Sequence, residues 1–209
     1  MYPEVIAEFK REIPHPEGFV RYMYLDHVGK VTIGIGNLLD EDSAADLPFV
    51  HKVSGIGAGA AAVREEFRMV SRHRELIGAS ATAFAGLTTL RLTDAAVGRL
   101  LDRKIPQYEA SLRQSPYFNQ VDSWPADAQL GVLIMVYGLG IGKLTGFHDF
   151  RAACQAQDWR RAAEESHWRH QRAERTQALQ RCFNNAAIVT TFGHSYNILY
   201  SPASIYPYT

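Results

Sequence analysis

Apolar positions change their spacing several times along the chain, and each change marks an element. Val5, Ile6, Phe9 and Ile13 recur at helical spacing, so a helix is predicted from Pro3 to Ile13, with Pro14 and Pro16 ending it. Between Phe19 and Ile35 the residues turn β-branched and aromatic, with a break at Asp26-His27-Val28-Gly29-Lys30, which reads as a hairpin or small sheet. The stretch from Asn37 to about Thr89 reads as loop-rich, apart from a helix through Arg72 that follows the run Gly55-Ile56-Gly57-Ala58-Gly59-Ala60. Helical periodicity then dominates. Thr93-Asp94 caps a run through Leu100, Leu101, Ile105 and Leu112, which Pro106 is expected to kink. Pro125 opens a strongly apolar helix containing Leu130 to Tyr137, the expected central core helix, and the glycines at 138, 140 and 142 end it. Three amphipathic segments follow, around Phe147 to Gln155, Trp159 to Trp168 and Arg172 to Phe183. The tail from Ala187 to Thr209 has no clear period and is expected to wrap the surface or link to something else.

Composition narrows the classes. The 209 residues are 46 % hydrophobic, enough for a real core. Twenty-two basic residues balance twenty-two acidic ones, so no overall field draws the molecule to nucleic acid or to an anionic membrane. Cys154 and Cys182 are too few for a disulfide framework and form no C-x-x-C pair; they read as buried free thiols. The start, Met1-Tyr2-Pro3-Glu4, lacks the basic and apolar regions of a signal peptide, and no segment approaches the ~18 apolar residues of a membrane span. A cytoplasmic site of synthesis and no membrane insertion are the expectations.

The segment that carries chemistry begins at Glu17-Gly18. Asp26 follows nine residues later and Thr32 six after that, within Tyr24-Leu25-Asp26-His27-Val28-Gly29-Lys30-Val31-Thr32-Ile33-Gly34-Ile35-Gly36. Cleaving a glycosidic bond takes an acid to protonate the leaving oxygen and a carboxylate to activate water or stabilise the developing cation. One Glu and one Asp beside a hairpin could supply both, but such a pair taken alone is more often surface charge.

The whole segment resembles the active-site stretch of the phage-type lysozymes. The Glu-Gly pair, the Tyr before Asp, the Thr-Ile-Gly-Ile-Gly run and the intervals agree without a gap. Far downstream, Trp168, Arg175 and Phe183 keep the family's spacing of tryptophan, arginine and phenylalanine, and Leu92-Thr93-Asp94, Met135-Val136-Tyr137 and Gly146-Phe147 resemble the helices between. The resemblance implies Glu17 as general acid, Asp26 as second carboxylate, Thr32 as a hydroxyl holding the attacking water, and Arg175 paired with Glu17. It sets Leu38 and Tyr137 along the sugar cleft, where an apolar residue could equally be core. The implied fold is α+β and mainly helical: residues 19–92 form a small sheet-bearing lobe, 1–18 with 93–186 a helical part, and 187–209 a tail, with the cleft between lobes.

Departures from the family pattern are specific. Pro14-His15-Pro16 precedes Glu17 where the family has an unbroken helix, which makes Glu12 a competing acid. Asn37 stands in place of a histidine and Gly138 in place of a glutamine, and the stretch from about Asp40 to Leu90 is longer. Other motifs fail on spacing. Gly34-Ile35-Gly36 lacks a third glycine, Gly142-Lys143-Leu144 lacks the Ser or Thr of a phosphate loop, and His167 with His170 reads as an exposed helix face before it reads as a metal site.

The resemblance therefore implies a muramidase that hydrolyses the β-1,4 bond between N-acetylmuramic acid and N-acetylglucosamine in peptidoglycan, with inversion and no cofactor. The alternatives are a lytic transglycosylase, which uses one glutamate and an internal sugar hydroxyl, and a non-catalytic wall-binding module. The expected partner is the peptidoglycan glycan strand. Delivery by a holin would make the chain a phage endolysin. Delivery by a secretion-system carrier would make it an interbacterial toxin with an immunity protein, and the atypical features lean towards the toxin.

Overall fold

The computed structural model describes residues 1–12, 20–34, 36–169, 171 and 173–203. The fold is α+β and mainly helical, with two small antiparallel sheets. Its internal contacts divide it into two compact units, Met1–Pro16 with Lys104–Thr209, and Glu17–Arg103.

The unit Glu17–Arg103 carries both sheets. Strands β1 (Val20–Leu25), β2 (Val31–Gly34) and β3 (Asn37–Leu38) form one antiparallel sheet in that order. One face is core, because Met23, Leu25, Val31 and Ile33 are all buried, while Tyr22 and Tyr24 alternate with them and stay half-exposed. Helix α2 (Glu41–Ala45) is capped by a reciprocal box between Asp40 and Ser43. Strand β4 (Val50–His51) is the next element, followed by helix α3 (Ala60–Arg72), whose Val63 and Val70 face the same core. Strand β5 (Leu90–Arg91) pairs with β4. In the middle of α3 the buried Glu66 accepts from Thr89 N–H at 2.6 Å, Thr89 Oγ1 at 2.8 Å and Leu90 N–H at 3.0 Å, which fixes the entry to β5. A buried carboxylate is tolerated there because backbone donors surround it.

Helix α4 (Asp94–Gln114) starts as expected: Thr93 Oγ1 accepts the Ala96 N–H at 3.2 Å, the bond of an N-cap. The helix runs on through Pro106 to Gln114.

In the unit built from the two chain ends, helix α1 (Pro3–Glu12) packs on helix α5 (Ala126–Leu139). Every residue of α5 from Ala126 to Val136 is buried, so it is the core helix the sequence predicts. It ends at Gly140, whose φ of +74° favours glycine. Helices α6 (Ile141–Leu144), α7 (His148–Ala156), α8 (Trp159–Glu165) and α9 (Ala173–Phe192) complete the unit. Two differences from expectation stand out. Helix α8 stops at Glu165, leaving His167 and Trp168 outside any helix, and α9 runs on to Phe192, well into the expected tail. The rest of the described tail is tied down by the buried Asp127, which accepts from Tyr200 N–H at 3.0 Å, Ser201 N–H at 2.9 Å and Asn185 Nδ2 at 3.0 Å. Tyr196 C=O accepts the Ala126 N–H at 2.7 Å.

An aromatic cluster of Phe118, Trp124, Phe150, Trp159 and Phe183 packs around α5 and α9, with Phe183 stacked on Trp159 and edge-on to Phe150. Gly131 leaves the room for it: a Cβ there would lie 2.6 Å from Phe183 Cζ and 2.9 Å from Cε2. Gly131→Ala should therefore destabilise the protein by about 1–3 kcal/mol, since overpacking outweighs the ~1 kcal/mol of helix propensity gained. Urea unfolding checks this; a stabilised variant would show that the ring yields freely.

Arg113, Glu109, Asp122 and the Met1 amino group form an ion-pair network, with Met1 N at 2.7 Å and Arg113 Nε at 2.7 Å from Asp122. The Arg113 hydrogen bond, then the amino group, hold the Asp122 carboxyl down at about 2. A depressed carboxylate contributes stability above its unfolded value, and that contribution is lost as pH falls towards about 2. Asp122→Asn should flatten the acid limb of a melting-temperature profile between about pH 4 and about pH 2 relative to wild type.

Candidate functional site

Glu17, the expected general acid, lies outside the described residues, as do Ile35, His170 and Arg172. The other candidate residues are described, and they fall into two groups, one in each unit.

Asp26 sits at the end of β1 and closes the turn to β2. Its Oδ1 accepts the Val28 N–H at 2.9 Å and the Lys30 N–H at 2.8 Å, while its own N–H donates to Lys30 C=O at 3.0 Å and its C=O accepts from Gly29 N–H. An aspartate side chain that satisfies the amides two and four residues on is the local bonding that makes Asp a turn residue. Gly29 suits this turn because its φ is +78°, a conformation that residues with a side chain rarely adopt. Thr32 stands across from Tyr24 on β1 and from Leu38 on β3. Directly opposed residues of antiparallel strands share a face, so Tyr24, Thr32 and Leu38 form a row on the side of the sheet away from its core. Leu38 is 55 % exposed, whereas Thr32 is only 2 % exposed and donates its hydroxyl to Lys30 C=O at 3.1 Å. Asp26 and Thr32 are thus drawn together around one residue, with Asp26 Oδ1 on the Lys30 N–H and Thr32 Oγ1 on the Lys30 C=O.

Tyr137 and Arg175 belong to the other unit. Tyr137 is half-buried near the end of α5 and meets Phe9 and Tyr108 edge-on, with ring centroids 5.8 and 6.2 Å apart, so part of its surface is committed to packing. Arg175 lies in the first turns of α9 and is half-buried; among the described residues no carboxylate pairs with it. Gly138 joins the two. A Cβ at that position would stand 3.1 Å from Trp168 Cζ2 and 3.8 Å from Arg175 Nη1, so the Trp168 ring lies close over this glycine.

Asn37 is buried, with its Nδ2 3.5 Å from Ile33 C=O, so it faces into its own sheet. Cys154 and Cys182 are buried free thiols, as the sequence suggests. Burial pushes the Cys154 thiol well up, and burial followed by the charge of Asp127 pushes Cys182 up to about 12, so neither supplies a thiolate nucleophile. Among the described residues no three His, Cys, Asp or Glu side chains group to hold a metal ion, and none of the helices is long and apolar enough to cross a membrane.

Sequence reasoning missed the part played by the main-chain N–H and C=O of Lys30, because backbone groups leave no trace in residue identity. It also missed a second cluster, Arg21, Tyr22, Lys52 and Arg91, whose members are scattered over 71 positions of sequence, from Arg21 to Arg91, with no motif linking them. No protein-family model matches this chain, and no curated protein matches it.

The turn predicts a clean separation of shape from charge at Asp26. Asn keeps an Oδ1 that accepts both amides, so Asp26→Asn should melt within about 0.5 kcal/mol of wild type. Asp26→Ala removes the acceptor and should cost about 1 kcal/mol, as loss of a cap does. Thermal denaturation of both variants tests this; equal losses would mean that the two amide bonds contribute nothing.

Proposed function

We propose that this chain is a muramidase, hydrolysing the β-1,4 bond between N-acetylmuramic acid and N-acetylglucosamine. The observation that supports it is the attachment of both Asp26 and Thr32 to the main chain of Lys30, Asp26 at its N–H and Thr32 at its C=O, with the exposed Leu38 beside Thr32 on the same sheet face. In this reading Glu17 protonates the glycosidic oxygen, the C1–O bond breaks, and a water attacks C1 from the opposite face. Asp26 takes the water's proton on Oδ2, the oxygen left over by the turn, and stabilises the positive charge that develops on the sugar. The Thr32 hydroxyl already donates to Lys30, so its oxygen serves as an acceptor that orients the water. Carrier, immunity protein or holin would belong to the route by which such an enzyme reaches a wall.

A second reading has its own observation. Asp26 Oδ1 is fully used by the turn and Thr32 is nearly enclosed, which is what two structural residues would do. Glu17 would then act alone, and the sugar's own hydroxyl would replace water, as in a lytic transglycosylase.

Digestion of purified peptidoglycan followed by mass spectrometry separates the readings. The muramidase should release muropeptides with free reducing ends, and both Glu17→Gln and Asp26→Asn should lower turnover by at least about a hundredfold, the scale of lost acid–base catalysis. Glu12→Gln should remain active. Products lighter by one water, with Asp26→Asn still active, would replace the muramidase with the transglycosylase. Wild type that binds wall and releases nothing would make the chain a binding module.

A further inference from the structure

Away from the hairpin turn, the unit Glu17–Arg103 holds an open depression of about 380 Å³ lined by Arg21, Tyr22, Lys52 and Arg91. Its walls are fixed by backbone pairing. Arg91 lies opposite Val50 in the β4–β5 pair, the Lys52 N–H donates to Thr89 C=O, and the Leu92 N–H donates to Arg21 C=O. The side chains are held as well. Lys52 Nζ donates to Ala85 C=O at 2.7 Å and Thr88 Oγ1 at 2.6 Å and lies 4.6 Å from the centre of the Tyr22 ring. Arg21 makes a two-pronged ion pair with Asp94, Nε to Oδ1 at 2.6 Å and Nη2 to Oδ2 at 2.9 Å.

Arg91 differs from both. Its Nε is shielded from solvent and meets no acceptor, and no carboxylate pairs with its guanidinium among the described residues. Burial lowers the Lys52 pKa and the charge of Arg91 lowers it further, against an opposing pull from Glu66. Among the described residues, three cations, Arg21, Lys52 and Arg91, thus face two carboxylates, Asp94 and Glu66, and Glu66 is already occupied by Thr89 and Leu90. One positive charge is left over, on a guanidinium whose planar donors match a carboxylate.

We propose that this depression binds the carboxylate of a small acid about the size of a single sugar ring, with the carboxylate against Arg91 and Lys52 and the body of the ligand beside Tyr22. The excess of one charge favours a monoanion, and the volume falls in the ordinary range of small-ligand pockets. The proposal is independent of the muramidase reading, since none of these four residues has a part in it.

The test is a titration of the isotopically labelled full chain, followed by NMR, with glucuronate and with glucose as its neutral match. Glucuronate should shift the amides of Arg21, Tyr22, Lys52 and Arg91 and the Arg91 Nε–H along a saturable curve, and glucose should not. Arg91→Gln should weaken the glucuronate response about tenfold, the scale of one charge-assisted hydrogen bond. Absence of a saturable shift, an equal response to glucose, or unchanged binding by a folded Arg91→Gln would each overturn the proposal. Should Arg91→Gln lose its spectral dispersion, the comparison of glucuronate with glucose in wild type decides alone.

Discussion

Helix α5 is buried on every side from Ala126 to Val136, and it imposes that condition on the unit around it. Its residues from Ala126 to Val136 are enclosed by α1, α9 and the aromatic cluster, and the polar groups inside this enclosure have to be answered one by one. Gln129, fully buried, accepts from Tyr2 N–H and donates to the carbonyls of Trp124 and Asp122. Asp127, also fully buried, is answered by Asn185 and by the amides of Tyr200 and Ser201. Desolvation nevertheless pushes its carboxyl upward, so these bonds moderate the cost of burying the charge without removing it. The N-terminal segment and the described tail are thereby tied to the same helix, each through one polar residue of its first turn.

The hairpin of the other unit obeys a different logic. Its carboxylate is at the surface and its chemistry is local. Asp26 folds the turn with one oxygen, and any part in catalysis must fall to the other. Thr32 likewise spends its proton on Lys30 and keeps its lone pairs. Both side chains are held to the main chain of Lys30, and the water-positioning roles proposed for them would require such fixed placement, since misplacement by even an ångström is costly in rate.

The elements legible in the sequence were those with a sustained period. The core helix announces itself through an apolar run, α4 through Thr93-Asp94, and the hairpin through its β-branched alternation around Asp26. Strands β3, β4 and β5 did not, because each is two residues long and is defined by its partner, with no pattern of its own. Helix α9 outran the expected Phe183 because its last turns, Ile188 to Phe192, mix apolar and β-branched residues that read as irregular until Val189 is seen to be buried. In the site, the residue types at Asp26 and Thr32 and their common hairpin were readable, whereas the strand that carries Leu38 was not. Which carboxylates are buried was not: Glu66 and Asp127 look in sequence like any other helix acids, and their roles depend on amides 23 and 74 positions away.

The anchoring of the described tail has a consequence for how that part of the chain can change over time. Asp127 grips the main chain at positions 200 and 201 and ignores the side chains that happen to stand there. Almost any residue can supply an amide proton, so these two bonds make no demand on side-chain identity; the buried Ser201 answers separately to Cys182, its Oγ 3.6 Å from the Cys182 Sγ. Proline alone is forbidden at both, because it has no amide proton to give. A segment that looks arbitrary letter by letter can thus be held as strictly as the core, by main-chain bonds whose own single demand is that the residue not be proline.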